Sequence, residues 1–131
     1  MTWIILEVGA RTPTRGTSEA CGYDLYALGD GIIMPCVVSV IPTGVGVDMA
    51  KGWRGQIEAR SGLAAKGFLR LGGQIDSDYR DMEIKVMCTT IADAIRYKAG
   101  DRIAQIIFSK YEILPGDAGG VRTGGFGSTG S

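Results

Sequence analysis

The segment GGQIDSDYRD sets two carboxylates, Asp76 and Asp78, on either side of Ser77, with Tyr79 and Arg80 next. Asp, Ser and Asp in succession favour a turn, so the segment reads as a hairpin with solvated carboxylates. It reads equally as a site in which one carboxylate is a general base toward water and the Tyr79 ring packs on an organic substrate. In ARSGLAAKG, Arg60 and Ser61 stand just before a short helix expected from near Gly62. The free N–H groups of a helix start, with a guanidinium and a hydroxyl beside them, suit a phosphate; the same residues also make a Ser N-cap with an exposed Arg. Asp24, in CGYDLYA, is either a turn residue or a carboxylate held over a metal or a sugar. Gln105 interrupts the apolar run IAQIIF and needs a partner, either a ligand or a neighbouring backbone group. Near the C-terminus, Arg122 and Phe126 sit among Gly, Ser and Thr, which together supply a phosphate clamp, a stacking face and small hydrogen-bond donors.

Two absences narrow the chemistry. The chain has no histidine, so Ser-His-Asp and Cys-His nucleophiles, HExxH zinc sites and imidazole acid/base steps are excluded. Its three cysteines, Cys21, Cys36 and Cys88, are odd in number and lack a CxxC pair, which fits neither a disulfide framework nor a zinc knuckle. Fourteen Lys and Arg balance fourteen Asp and Glu, which argues against nucleic acid or an anionic membrane as partner while leaving room for a local basic pocket. With no apolar run of membrane-span length and no signal-peptide pattern, the chain is expected to be soluble and intracellular, in cytoplasm or nucleus.

The elements that must hold these residues are short strands. The 131 residues suit one domain. Glycine, at 21 residues, is about twice its usual share of roughly 7% and marks many turns. Strand signals run over 3–8, 23–27, 31–34, 37–42, 45–49, 55–60, 68–71, 83–89, 91–97 and 102–111, bounded by Gly, Pro or Asp. EIKVMC alternates at period two, as a half-buried strand does. SGLAAKG is the one helical segment. The pattern predicts an all-β sandwich or barrel, with residues 1–117 as the folded domain and the Gly-rich stretch 118–131 as a flexible tail.

In order along the chain, CGYDLYA, ARSGLAAKG, GGQIDSDYR, GDRIAQ and GGFGSTG resemble the five motifs of the trimeric all-β dUTP pyrophosphatases, over residues 20 to 130. The resemblance implies a distorted β-barrel or jelly roll and hydrolysis of dUTP to dUMP and pyrophosphate, which limits dUTP and supplies dUMP for thymidylate synthesis. It implies Mg2+ on the triphosphate, with Asp24 reaching the metal through water. By the same resemblance Asp76 is the base that activates water. Tyr79 packs on the deoxyribose and excludes a 2′-hydroxyl, and uracil lies in the hairpin that includes Gly73, Gln74 and Ile75, read by main-chain groups. Arg60, Ser61, Gly62 and Gln105 hold phosphates. The tail closes over the nucleotide, Phe126 stacking on uracil, Arg122 pairing with the terminal phosphate, and Gly127, Ser128 and Thr129 lining the phosphates. The family's homotrimer shares each active site between subunits, its tail often crossing to a neighbour.

Three positions differ from the family's usual pattern. Asp81 and Met82 precede Glu83 as if one residue were inserted, which is expected to produce a bulge beside the hairpin. Arg122 is one residue closer to Phe126 than usual, and Gln74 stands where an aliphatic residue is common. The alternatives are a dCTP deaminase of the same fold and a nucleotide-binding or regulatory module with weak catalysis.

Overall fold

The computed structural model describes residues 1–117 and 119–125. Eleven strands and one helix follow in the order β1 (Thr2–Ile5), β2 (Gly22–Tyr26), β3 (Gly31–Ile33), β4 (Ser39–Pro42), β5 (Val45–Asp48), β6 (Trp53–Glu58), α1 (Ser61–Ala65), β7 (Phe68–Arg70), β8 (Gln74–Asp76), β9 (Lys85–Thr90), β10 (Ile95–Tyr97) and β11 (Arg102–Lys110). All ladders are antiparallel. They form two pairs, β1-β5 and β10-β3, a three-stranded sheet β4-β9-β7, and a four-stranded sheet β2-β11-β6-β8.

The all-β reading therefore holds, with the sheets arranged as a jelly roll and not as one closed barrel. Most strands are only three to six residues long, and each makes few ladder bonds before a glycine or proline turns the chain. Alternation decides which side chains go inward. In β9, Val86 and Cys88 are fully buried, while Lys85 and Met87, which alternate with them, are not. In β11, Ile103, Ala104 and Ile106 are buried. These residues meet Leu25, Ile33, Ile41, Ile57, Ile75 and Ile84 in one core, each large side chain contributing about 1.5–3 kcal/mol.

Two sequence expectations need correction. The hairpin expected around 72–79 is not one: β8 pairs with β6, whereas β7 and β9 pair with each other in another sheet. Gly72 and Gly73 provide the crossover, both at positive φ (60° and 104°). The extra residue near Asp81 does not bulge a ladder either. It lies in the connection between β8 and β9, where Asp81 takes a left-handed φ of 55°, a conformation Asp tolerates better than most residues. Among the described residues no strand follows β11, and no helix is long and apolar enough to cross a membrane.

Candidate active site

β8 is three residues, Gln74, Ile75 and Asp76, and alternation sends Ile75 into the core while Gln74 and Asp76 face out. Its register on β6 pairs Arg54 with Asp76 and Gly55 with Ile75. The Arg54 guanidinium donates to Gln74 Oε1 at 2.8 Å, and Gln74 Nε2 lies 3.4 Å from Asp76 Oδ1. The polar Gln74 thus faces outward, beside Asp76. The Tyr79 N–H donates to the Asp76 carbonyl at 3.1 Å, which brings the ring back over the strand. The Tyr79 hydroxyl donates to the Glu83 carbonyl at 2.7 Å. Burial, and next the charge of Glu83, push the phenol above its ordinary pKa, with Arg122 opposing.

The result is a cleft of about 190 Å³ with Ile57, Ile75 and Met87 as apolar lining, Tyr79 and Asp76 at its walls, and Gly73 among its main-chain lining. Gly73 is required: a Cβ there would lie 3.2 Å from the Ile57 carbonyl, and the Gly73 carbonyl accepts the Ile57 N–H at 2.8 Å.

Arg122 closes this cleft. Its Nη2 donates to Asp76 Oδ2 at 2.5 Å and its Nε to Asp78 Oδ1 at 2.7 Å. Its Nη1 donates to the Gly124 carbonyl at 2.8 Å, and its guanidinium carbon lies 5.7 Å from the Tyr79 ring centroid. The hydrogen bond to Asp78 is the main reason its pKa is raised.

The second group of expected residues gathers elsewhere. Arg60 is the N-cap residue of α1, its side chain making no capping bond, and Ser61 is the first helical residue, one position earlier than the sequence suggested. Arg60 Nε lies 3.3 Å from Asp24 Oδ1, and Arg102 Nε lies 3.9 Å from Asp24 Oδ2. Asp101, next to Arg102 in the chain, accepts the Lys98 N–H at 2.9 Å. Gln105 sits opposite Asp24 in the ladder. Its amide donates to the Ala59 carbonyl at 3.2 Å, and its Oε1 passes so close to Gly22 that a Cβ there would be 2.2 Å away. Arg60, Gly62, Lys66, Arg102 and Arg11 line a broad hollow of about 570 Å³.

One chain therefore holds two half-sites that do not meet. Asp76 is level with Arg54 on β6, and Arg60 lies six residues further along nearly extended backbone, about 20 Å away at roughly 3.3 Å per residue. Sequence reasoning missed Asp78 as the partner of Arg122, although its position two residues after Asp76 placed it on the same turn. It also missed Arg102, whose side chain reaches Asp24 from the neighbouring strand, a proximity invisible in local pattern. Phe126, Gly127, Ser128 and Thr129 lie outside the described residues.

Fold and geometry together define an all-β jelly-roll protein with two candidate half-sites, a carboxylate and tyrosine in one and guanidinium groups in the other. Residues 9–130 match the family model for dUTPase; the chain belongs to the dUTPase family. It is 40% identical over 128 residues to the human mitochondrial deoxyuridine 5'-triphosphate nucleotidohydrolase, covering 92% of this chain and about half (51%) of that protein. It is 41% identical over 131 residues to the nucleotidohydrolase of the same name from avian adenovirus 8, covering 89% of this chain and 80% of that one. Among solved structures, a mutant dUTPase from phage phi11 of S. aureus, described with a structural Mg(II) ion, superposes with a TM-score of 0.81 at 20% identity, over 89% of this chain and 94% of that one. At that identity the likeness concerns the fold.

Proposed function

We propose that the protein hydrolyses dUTP to dUMP and pyrophosphate. The observation that carries the proposal is the cleft itself, in which the Asp76 carboxylate and the Tyr79 ring share an apolar-lined recess of about 190 Å³, a size for a nucleoside and not for a polymer. Uracil enters between the Gly73–Ile75 main chain and Tyr79, whose ring, fixed by the Glu83 carbonyl, fills the space a 2′-hydroxyl would need. Asp76 takes a proton from water as the water oxygen bonds to the α-phosphorus. The bond from that phosphorus to its bridging oxygen breaks, and pyrophosphate leaves. Arg122 releases Asp76 in this state and turns its free N–H groups to the phosphates. Phe126, Gly127, Ser128 and Thr129 complete the cover in this reading.

The triphosphate extends toward Arg60, Ser61, Gly62 and Gln105. Those groups are about 20 Å from Asp76 in the same chain by strand length, so the reading requires them from a neighbouring copy, as in a homotrimer with shared sites. The donor set tests the metal. Among the described residues no group of three or more acidic or sulfur side chains could hold an ion, and Asp24 is already flanked by Arg60 and Arg102. That fits a Mg2+ that the triphosphate itself would carry, with Asp24 as the carboxylate that would hold it through water. When bound, the ion neutralises charge that develops on the phosphates.

Pyrophosphate release from dUTP, UTP, dTTP and dCTP, with Mg2+ and with the metal chelated, tests the reading. Rapid Mg-dependent release from dUTP alone, abolished in Asp76→Asn, is the expected result. Ammonia release from dCTP would overturn it.

A further inference from the structure

Four polar side chains stand in a square on the outer face of β6 and β8. The register sets Arg54 opposite Asp76 and Gln56 opposite Gln74. Alternation turns all four away from the core, toward which Gly55, Ile57 and Ile75 point. Directly opposed residues are the nearest neighbours on such a face, with Cβ atoms about 5 Å apart against about 7 Å on the diagonal. The opposite charges of Arg54 and Asp76 are therefore placed to pair, and yet they do not. Arg54 Nη1 donates along the diagonal to Gln74 Oε1 at 2.8 Å, and along its own strand to Gln56 Oε1 at 3.1 Å. Among the described residues Arg54 makes no ion pair.

A guanidinium only donates, so its contact fixes which end of an amide faces it. Gln74 turns Oε1 to Arg54, and its Nε2 then falls toward Asp76 Oδ1, 3.4 Å away. Gln56 is held in the same way, its Nε2 donating to the Ile57 carbonyl at 3.2 Å. Asp76 thus receives an uncharged N–H from β8 where the register offers it a cation from β6.

The difference bears on the proposed reaction. A carboxylate beside a guanidinium favours its charged form and is a poorer acceptor for a proton. In the proposed reaction substrate phosphates draw Arg122 away from Asp76, but a guanidinium rooted in β6 beside the base would stay. We propose that Gln74, steadied by Gln56, is a positioning residue for the base, holding Arg54 off Asp76 and giving the carboxylate a neutral donor instead. This rests on the proposed dUTP hydrolysis and deepens it. It also gives a reason for an amide at position 74, where an aliphatic residue is common: the strand opposite carries an arginine.

Substitution at position 74 tests it. The side chain is exposed, so Gln74→Leu, and Gln74→Met, which keeps the length without the amide, should fold with an unchanged melting temperature. Both should lower kcat for dUTP about tenfold with KM held, the scale on which an opposite charge makes a carboxylate a poorer base. Adding Arg54→Leu to Gln74→Leu should restore most of that loss, because the cation that captures the base is gone. A residue with only a structural role would show a further loss in the double variant. Unchanged kcat in both single variants, or a double variant no faster than Gln74→Leu, would overturn the inference. A crystal structure of Gln74→Leu gives a readout independent of turnover: the Arg54 guanidinium should lie within about 4 Å of the Asp76 carboxylate, the range of an ion pair. A guanidinium still turned away from Asp76 would equally overturn it. Wild-type protein that releases no pyrophosphate from dUTP would sink the proposed function and leave this structural outcome to be scored, which separates the two failures.

Discussion

Tyr79 works through two different parts of its side chain, and they can be separated. The hydroxyl is spent on the Glu83 carbonyl, whereas the ring faces the cleft. Tyr79→Phe should therefore cost about 1 kcal/mol of stability, from a carbonyl left without its partner, and keep the preference for dUTP over UTP. Tyr79→Ala should lose that preference. Urea unfolding and a dUTP/UTP rate comparison decide the matter, and a Phe variant that hydrolysed UTP freely would place the selection in the hydroxyl. Cysteine chemistry offers a second check at this scale. Cys88 is fully buried in β9 and its thiol is pushed up to about 11, while Cys21 and Cys36 are exposed. A thiol reagent at pH 8 should label Cys21 and Cys36 in the native protein and Cys88 only after denaturation. Because the folded pKa of Cys88 lies above the unfolded value of 9.0, its contribution is intact below pH 9 and is lost as pH rises toward 11. The loss is on the order of 1–3 kcal/mol, read as a falling urea midpoint across that window. A Cys88→Ala variant should lose that part of the pH slope.

β8 is the element on which the cleft depends and the one that sequence pattern reads least well. Three residues after a glycine pair carry no periodicity, and their partner is β6, some twenty residues earlier; nothing local distinguishes that crossover from a hairpin. β9 and β11 were legible because alternation over six and nine residues reports burial directly. Asp76, Tyr79 and Arg60 were singled out as candidates through their motifs. Their grouping was not legible, since it depends on which strands pair, and the pairing of Arg122 with Asp78 spans 44 positions. The crossover makes its own prediction. At Gly73, with φ of 104° and the Ile57 carbonyl 3.2 Å from a built Cβ, Gly73→Ala must strain the backbone or break the Ile57–Gly73 hydrogen bond. The expected cost is about 1–3 kcal/mol, together with a large loss of dUTP turnover as β8 shifts on β6. Gly119→Ala, where a Cβ would meet nothing within 4 Å, should leave both unchanged. Equal effects at the two glycines would mean that Gly73 is not the hinge of the cleft.

At the scale of the whole molecule, a neutral chain handling a polyanion must concentrate its positive groups, and it does so on the face formed by β2, the start of α1 and the beginning of β11. That face holds Arg60 and Arg102 around the nearly buried Asp24. It is separated along β6 from the acidic β8 turn by about 20 Å, more than a rigid six-residue strand segment can close by bending. In the proposed reading, a triphosphate held at both ends therefore needs the face of one copy to stand opposite the cleft of another. The consequence is complementation. Chains carrying Asp76→Asn and chains carrying Arg60→Ala should each be nearly inactive alone, by on the order of 100-fold or more for the base. Co-expressed and isolated as mixed trimers, they should regain activity in roughly a third of their sites, those in which an intact cleft meets an intact cationic face. No recovery from this pair would place both half-sites in one chain and require a rearrangement of β6.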